Sequence, residues 1–239
     1  MSRRLLIALS VFFLSVSVHA EKISVSGYVE VSTAYMFRGS KGCGANVSPC
    51  LSLNWKGFAL QTYGYASFDG TYKEVDLDIS YTIGAFSFHF GDYYVRMPSS
   101  TGPEDVFCYK KGKTNHMQEA IIYCEPKNLP FALRWFTFVN GDWLPDADGS
   151  LGRLSLSSYL EAELYHAFTP NSRLSLIGGA SVLKGMYTNY TKDFAVIVTE
   201  VRYRYSIPVG AVKIPLQVSY LINPYAKSSW LNATIGIQF

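Results

Sequence analysis

The sequence predicts an all-β fold, a single antiparallel transmembrane β-barrel of about twelve strands. Three observations lead to this prediction. Polar and apolar residues alternate with a period of two, mostly over the roughly nine to eleven residues that a tilted strand needs to cross a bilayer. The connections between these segments are alternately short and long. Charged residues keep to one face of most segments, so the other face is apolar.

Twelve segments show this alternation and are bounded by turn residues. They are Ile23–Phe37, Cys50–Lys56, Phe58–Phe68, Lys73–Ile83, Phe86–Arg96, Asn115–Glu125, Phe131–Val139, Arg153–Phe168, Ser172–Lys184, Phe194–Ile207, Val212–Ile222 and Trp230–Phe239. Every second connection is tight, whereas the others, such as Arg38–Pro49 and Met97–Thr114, are longer and polar. Membrane barrels have short periplasmic turns and longer extracellular loops, and a soluble sandwich has no reason to sort its loops in this way.

The charged face must point into the barrel lumen, because a charge on the lipid face near mid-membrane costs about 2–4 kcal/mol. By this parity the lumen is lined by Glu30, Glu74, Asp76, Asp78, Glu119, Arg134, Glu161, Glu163, Glu200, Arg202 and Arg204. Carboxylates outnumber guanidiniums in this set, so we expect an acidic lumen. Aromatic residues at the segment ends are expected to form the two interfacial girdles: Tyr35, Phe37, Trp55, Phe58, Tyr81, Phe86, Phe131, Tyr220 and Phe239.

Two segments fit this pattern less well. In Phe86–Arg96, Asp92 shares its parity with apolar aromatic residues, which requires a β-bulge or an early exit from the membrane. In Asn115–Glu125, Ile121 shares its parity with Glu119. The alternation alone explains neither departure.

The N-terminus has the pattern of a cleaved secretory signal peptide. Arg3 and Arg4 precede an apolar run that is too short to span a membrane, and Val18-His19-Ala20 supplies a small-x-small cleavage site. We therefore expect a signal peptide at residues 1–20 and one barrel domain at residues 21–239. Removal of the two arginines brings the net charge of +3 close to zero, so no nucleic-acid partner is implied.

The last segment, Trp230–Phe239, alternates up to its final aromatic residue. This ending resembles the closing strand of bacterial outer-membrane barrels, in which a terminal Phe is part of the signal read by the insertion machinery. The resemblance implies that Phe239 is such a signal. It also implies residence in the outer membrane, with the lipid bilayer and the insertion machinery as partners; no outward patch predicts an oligomeric state.

A second resemblance lies at the end of the first segment, in Tyr35-Met36-Phe37-Arg38-Gly39. The pattern Tyr-x-Phe-Arg-Gly at this place resembles a family of uncharacterised Gram-negative outer-membrane proteins. The likeness continues through Ser52–Trp55, Tyr65–Ser67 and Glu74–Tyr81. It implies a small barrel. Because the family has no established activity, it assigns no role to the motif residues Tyr35, Phe37, Arg38 and Gly39.

The four cysteines leave several pairings open. Cys43 and Cys50 bracket one short loop and could form a disulfide after secretion. Cys108 lies in a long loop and Cys124 near the opposite end of a strand, so a bond between them would be strained. The sequence has no Cys-x-x-Cys spacing, and we expect neither a metal nor another cofactor.

Three classes of function remain. Twelve strands lie between the roughly eight that side chains fill and the 16 to 18 of wide porins. We therefore expect a narrow passive channel for small solutes, favouring cations or zwitterions. The alternative is a closed structural or surface-interaction barrel, in which facing charges pair and fill the lumen.

An enzyme is the least favoured class. Ser87 and His89 lie two residues apart on one strand, without a third group that would orient them. The longest connection, Met97–Thr114, is expected to be a solvated external loop. A loop folded inward to narrow the pore is the alternative.

Overall fold

A computed structural model describes residues 22–100, 104–146 and 148–239. In these ranges twelve antiparallel strands form a closed barrel, which confirms the predicted fold class. The barrel strands are β1 (Ser24–Ser32), β4 (Asn46–Trp55), β5 (Phe58–Ser67), β6 (Lys73–Ile83), β7 (Phe86–Arg96), β8 (His116–Cys124), β9 (Phe131–Asn140), β12 (Ser158–Thr169), β13 (Ser172–Ser181), β14 (Ala195–Val209), β15 (Val212–Asn223) and β16 (Ser228–Gln238). The predicted signal peptide lies outside the described residues.

Four short strands and a 3₁₀ turn complete the described structure. The hairpin of β2 (Tyr35–Phe37) and β3 (Ser40–Cys43) lies between β1 and β4, and the hairpin of β10 (Trp143–Pro145) and β11 (Leu151–Leu154) lies between β9 and β12. The 3₁₀ turn, Met186–Thr188, follows β13. No helix in the described ranges is long and apolar enough to cross a membrane.

The order of strands round the ring is β1-β16-β15-β14-β13-β12-β9-β8-β7-β6-β5-β4, and β4 pairs with β1 to close it. This order decides which strands face each other. In a ring of twelve, strands six places apart lie on opposite walls. Thus β9 lies opposite β1, and β14 lies opposite β6.

The barrel is apolar outside and polar inside. On β6, Val75 and Leu77 are 57% and 54% exposed, whereas Asp76 and Asp78 are 5% and 6% exposed. A protein that folds in water buries its apolar residues and exposes its charged residues. Hydrocarbon around the barrel is the solvent that stabilises this arrangement, because a closed sheet leaves no strand edge for lipid to meet.

The first strand is shorter than predicted. β1 ends at Ser32, and the chain then turns into the barrel, because the Asn232 side chain of β16 accepts hydrogen bonds from Thr33 Oγ1 at 2.7 Å and from the Ala34 backbone N–H at 3.0 Å. The prediction that Arg38–Pro49 forms an external loop is therefore wrong. Residues 33–45 form the β2–β3 hairpin inside the lumen, and the next wall strand already begins at Asn46.

The unusual position of Asp92 is explained by the loop that follows β7. Pairing of β7 with both neighbours is regular, so no bulge is present and Asp92 stays on the outer face. The loop covers it: Tyr109 donates a hydrogen bond to Asp92 at 2.7 Å, and His116 contacts it at 3.1 Å. The bond to Asp92 raises the pKa of Tyr109 to about 12. The outer face of β7 therefore leaves the apolar part of the membrane before the strand ends, and the loop that follows β7 packs on this outer face.

Candidate functional site in the barrel lumen

The tip of the β2–β3 hairpin is a two-residue turn formed by Arg38 and Gly39. Their φ angles are 44° and 82°, and two successive positive φ values characterise the type I′ turn that fits the twist of a tight hairpin. At Gly39 a Cβ atom would lie 2.0 Å from the carbonyl oxygen of Ile197 on β14. Only glycine therefore allows the tip to lie this close to the wall.

The hairpin crosses the lumen to the far wall. Arg38 donates two hydrogen bonds to the carboxylate of Glu119 on β8, at 2.5 and 2.6 Å. Asn223, at the end of β15, donates a hydrogen bond from Nδ2 to the Gly39 carbonyl at 2.9 Å. The chain thus leaves the wall at β1 and is held on β15 and β8, two and five places from β1 in the ring.

Arg38 and Glu119 form a buried ion pair. Their side chains are 9% and 0% exposed. The guanidinium also donates to the Tyr187 hydroxyl and lies 4.0 Å from the ring centre of Phe136. Burial opposes the charge, but Tyr187 and Glu119 outweigh burial and raise the pKa of Arg38 well above its usual value. The arginine therefore remains charged and holds the tip in place.

An apolar cluster inside the barrel supports the tip. Its buried members are Ile121, Phe136, Tyr159, Ile177, Ala195, Ile197, Val198 and Leu221. This cluster explains why Ile121 shares its parity with Glu119: part of the lumen is a packed core. Sequence reasoning missed it by treating the inward face as polar. The available signal was that Phe136 and Phe138 share the inward parity of Arg134.

The motif aromatics belong to the same hairpin. Tyr35 stacks on Tyr65 with ring centres 4.3 Å apart, and Tyr72 lies 5.4 Å away. Phe37 lies 6.5 Å from Phe138. The prediction that Tyr35 and Phe37 belong to an interfacial girdle is therefore wrong, because the chain turns inward before it reaches them. Tyr35, Phe37, Arg38 and Gly39 all serve to seat the hairpin.

A cavity of about 610 Å³ lies in the lumen beside the hairpin. Eight of the eleven charged residues predicted to line the lumen lie in its wall: Glu30, Glu74, Asp76, Asp78, Glu161, Glu200, Arg202 and Arg204. The hairpin contributes Phe37, Arg38 and Gly39 to the same wall. The other three, Glu119, Arg134 and Glu163, take part in ion pairs and are absent from the lining of this cavity.

Four of the eight lumen carboxylates predicted from the sequence form ion pairs with arginine. Arg134 on β9 binds Glu161 and Glu163 of β12 at 2.7 and 2.8 Å. Arg202 binds Glu200, two residues away on β14, through two nitrogens at 2.7 and 2.8 Å. With Glu119 bound to Arg38, each lumenal carboxylate of β8, β12 and β14 has an arginine partner.

The carboxylates of β6 are different. Glu74 accepts a hydrogen bond from the Tyr72 hydroxyl, and Asp78 Oδ1 lies 3.0 Å from His89 Nδ1. Asp76 is nearly buried, yet its Oδ1 has no hydrogen-bond partner. In the described part of the chain, none of the three forms an ion pair with arginine or lysine. β6 therefore presents a row of carboxylates without fixed cations.

The wall opposite β6 carries a free cation. Arg204 on β14 is exposed to the cavity, and its Nε donates to Gln217 Oε1 at 2.8 Å. Among the described residues it forms no ion pair with a carboxylate. Arg204 and the carboxylates of β6 thus lie on opposite walls of the cavity.

The cysteines and the candidate catalytic pair form no reactive centre. Cys43 and Cys50 are free thiols; Cys43 belongs to the lumenal hairpin, whereas Cys50 belongs to β4 in the wall. Ser87 lies 2.7 Å from Thr82, while His89 contacts Asp78. No cluster of metal-binding side chains occurs among the described residues.

Comparisons with known proteins show the fold. No protein-family model and no curated protein matches the chain. Among solved structures, the NanC porin is 11% identical with a TM-score of 0.52, and covers 90% of this chain and 99% of its own. The KdgM porin in complex with disordered oligogalacturonate is 10% identical with a TM-score of 0.51, and covers 90% and 97%. The chain shares the barrel fold of these two porins.

Proposed function

We propose that the protein is an outer-membrane channel through which small solutes pass passively. The observation that carries this proposal is the lumenal cavity, in which β6 retains carboxylates without fixed cations. A barrel that served only as a structure would gain by replacing these groups with apolar residues, because burying polar groups is costly. The porin fold and the apolar outer surface support the membrane location.

The β2–β3 hairpin is the constriction of this channel. It crosses the lumen and forms part of the cavity wall, so a solute must pass beside Arg38 and the motif aromatics. One similar porin is described in complex with oligogalacturonate, which is an anion. The lumen of this chain has more carboxylates than guanidiniums in its cavity wall, so we infer a preference for cationic groups instead.

Planar-bilayer recording of the purified barrel tests this function. We expect discrete conductance steps and, in a potassium chloride gradient, a reversal potential that shows cation preference. Asp78→Asn should lower that preference because it removes a carboxylate from the cavity wall. Glu104→Gln is the matched control: it removes the same charge from an external side chain that is 88% exposed. Equal effects of the two substitutions would contradict the assignment.

A closed barrel is the second candidate function, and the buried Arg38–Glu119 pair favours it. The hairpin tip is held firmly enough to act as a plug. This candidate predicts that the wild-type barrel shows no conductance at any salt concentration or voltage. Absence of conductance, in protein that is shown to be folded, would refute the channel function.

The C-terminal residue supports the proposed membrane assembly. Phe239 exchanges two backbone hydrogen bonds with Gly27, at 3.0 and 3.1 Å, and so extends the β1–β16 seam that closes the barrel. Its ring is exposed on the outside. We propose that this ring is read by the insertion machinery before the seam closes. Pull-down of the insertion machinery with peptides ending in Phe239 or in alanine tests this role; equal capture would refute it.

A further inference from the structure

We propose that the loop after β7 binds a lipid of the outer leaflet that carries a phosphate group, with lysine side chains at the phosphate and Phe107 among the acyl chains. This inference rests on the proposed outer-membrane location and concerns a surface that the channel does not use. Two independent features carry it. Contacts hold the described loop residues 104–115 on the lipid-facing side of the barrel, and the loop places an exposed aromatic ring beside a turn that carries three lysines.

Contacts with β7 and β8 hold the loop against the outer face of the barrel. Tyr109 donates a hydrogen bond to Asp92, which has an outward position on β7, and its ring lies 4.1 Å from the ring of His116. His116 Nε2 in turn lies 2.6 Å from the carbonyl oxygen of Val106. His116 pairs with Tyr94 and shares its outward parity, yet it is only 4% exposed because the loop covers it. The loop therefore lies where lipid would otherwise contact the wall.

Phe107 projects away from the wall at this point. It is 84% exposed, which is the largest exposed fraction among the large apolar side chains of the described residues. Its backbone is nevertheless held: the Phe107 N–H donates to Asp105 Oδ1 at 2.9 Å, and the carbonyl group of the preceding residue contacts His116. An aromatic ring that is so exposed is unfavourable in water and is stabilised at the edge of a bilayer.

A turn that carries three lysines follows this segment. The Lys110 carbonyl accepts backbone hydrogen bonds from Lys113 at 3.0 Å and from Thr114 at 2.9 Å, just before the extracellular start of β8. Lys111 donates from Nζ to the Gly152 carbonyl at 2.7 Å, which ties the turn to the loop between β9 and β12. Lys110 and Lys113 are exposed, and neither forms an ion pair among the described residues.

The acidic groups of the same surface are already engaged. Glu104 binds Arg96 at 3.0 Å, Asp105 accepts a backbone hydrogen bond, and Asp92 is covered by the loop. Lys73, the cross-strand neighbour of Arg96, adds a further cation to the outer face. The free lysines of the turn therefore remain available to an anion from outside the protein.

The order of these groups along the barrel wall fits a lipid better than a free anion. Tyr109 reaches Asp92, which lies four residues, or about 13 Å, along β7 from the extracellular end of that strand. The lysine turn lies at the extracellular end itself. An apolar ring on the membrane side and cations on the headgroup side match the chains and the phosphate of one lipid. A soluble phosphate would make no use of the ring.

Native mass spectrometry of the purified barrel in a nonionic detergent tests this inference. The probe is dioleoylphosphatidic acid, and dioleoylphosphatidylcholine is the matched probe with the same chains and no net charge. We expect tighter binding of phosphatidic acid. The double variant Lys110→Gln, Lys113→Gln should weaken binding of phosphatidic acid about tenfold or more and leave phosphatidylcholine unchanged. Phe107→Ser should weaken binding of both lipids about threefold or more, because the ring contacts the chains.

Matched controls separate a lipid site from a general effect of charge. The double variant Lys127→Gln, Lys213→Gln removes two exposed lysines at the periplasmic ends of strands and should leave binding unchanged. Inorganic phosphate in large excess should not displace phosphatidic acid. Equal binding of the two lipids, equal losses in the two double variants, unchanged binding in Phe107→Ser, or displacement by inorganic phosphate would overturn the inference. Because this assay does not require conduction, a barrel that conducts ions but binds both lipids equally refutes this inference alone and leaves the channel standing.

Discussion

Replacing Arg38 by alanine is expected to release the hairpin from the far wall of the barrel. The substitution removes both hydrogen bonds to Glu119 and the contact with the Phe136 ring. It also leaves Glu119, which is fully buried, without its cation. Asn223 would then be the main remaining polar anchor of the tip.

The expected magnitude follows from the burial of the pair. Removing one partner of a buried ion pair costs about 3–5 kcal/mol. The lost cation–π contact with Phe136 adds about 0.5–2 kcal/mol. The equilibrium constant between the docked and the released hairpin therefore shifts by at least about two orders of magnitude toward the released state. The ladder of the twelve wall strands does not depend on the hairpin, so undocking should precede unfolding of the barrel.

Single-channel recording and thermal unfolding in detergent measure the two consequences. We expect Arg38→Ala to increase the conductance of the barrel and to change its unfolding temperature much less. The double variant Arg38→Gln, Glu119→Gln removes both charges and should restore much of the closed hairpin, because no buried charge is left alone. Wild-type conductance in Arg38→Ala, with the barrel folded, would refute the role of the pair.

Other predictions concern the turn, the thiols and the seam. Gly39→Ala should increase conductance as Arg38→Ala does, because its Cβ would collide with Ile197 at a backbone conformation that alanine avoids; unchanged conductance would contradict the hairpin position. Cys43 and Cys50 should react with a maleimide in urea without prior reduction, and slowly in the folded barrel, since both are buried; a requirement for reductant would show a disulfide. Deleting Phe239 should lower the unfolding temperature, because two seam hydrogen bonds of about 0.5–1.5 kcal/mol each are lost, and an unchanged temperature would contradict the role of the seam.

The wall strands were predictable because their alternation is local. The bounds of β6 and β7 agree with the predicted Lys73–Ile83 and Phe86–Arg96, since lipid on one side and polar groups on the other impose a period of two on each residue. The inward hairpin was not predictable in this way. Tyr35 and Phe37 continue the alternation of β1, and alternation does not show whether a strand continues outward or turns into the lumen.

The sequence predicted which charged residues line the lumen, but it did not predict which of them form ion pairs with each other. Parity identified Glu74, Asp76 and Arg204 as inward-facing from the sequence. It could not show that Glu161 and Glu163 are neutralised by Arg134 whereas Asp76 has no cation. That difference depends on which strands are neighbours, and hence on the closure of the ring.

The sequence by itself determined the barrel, the faces of its strands and the acidic excess of its lumen, because contact with hydrocarbon constrains each residue separately. Only the tertiary structure decided that Arg38 reaches Glu119, 81 positions further along the chain, and that β6 faces β14. These contacts arise when the sheet closes and brings distant segments to opposite walls. No local periodicity encodes them.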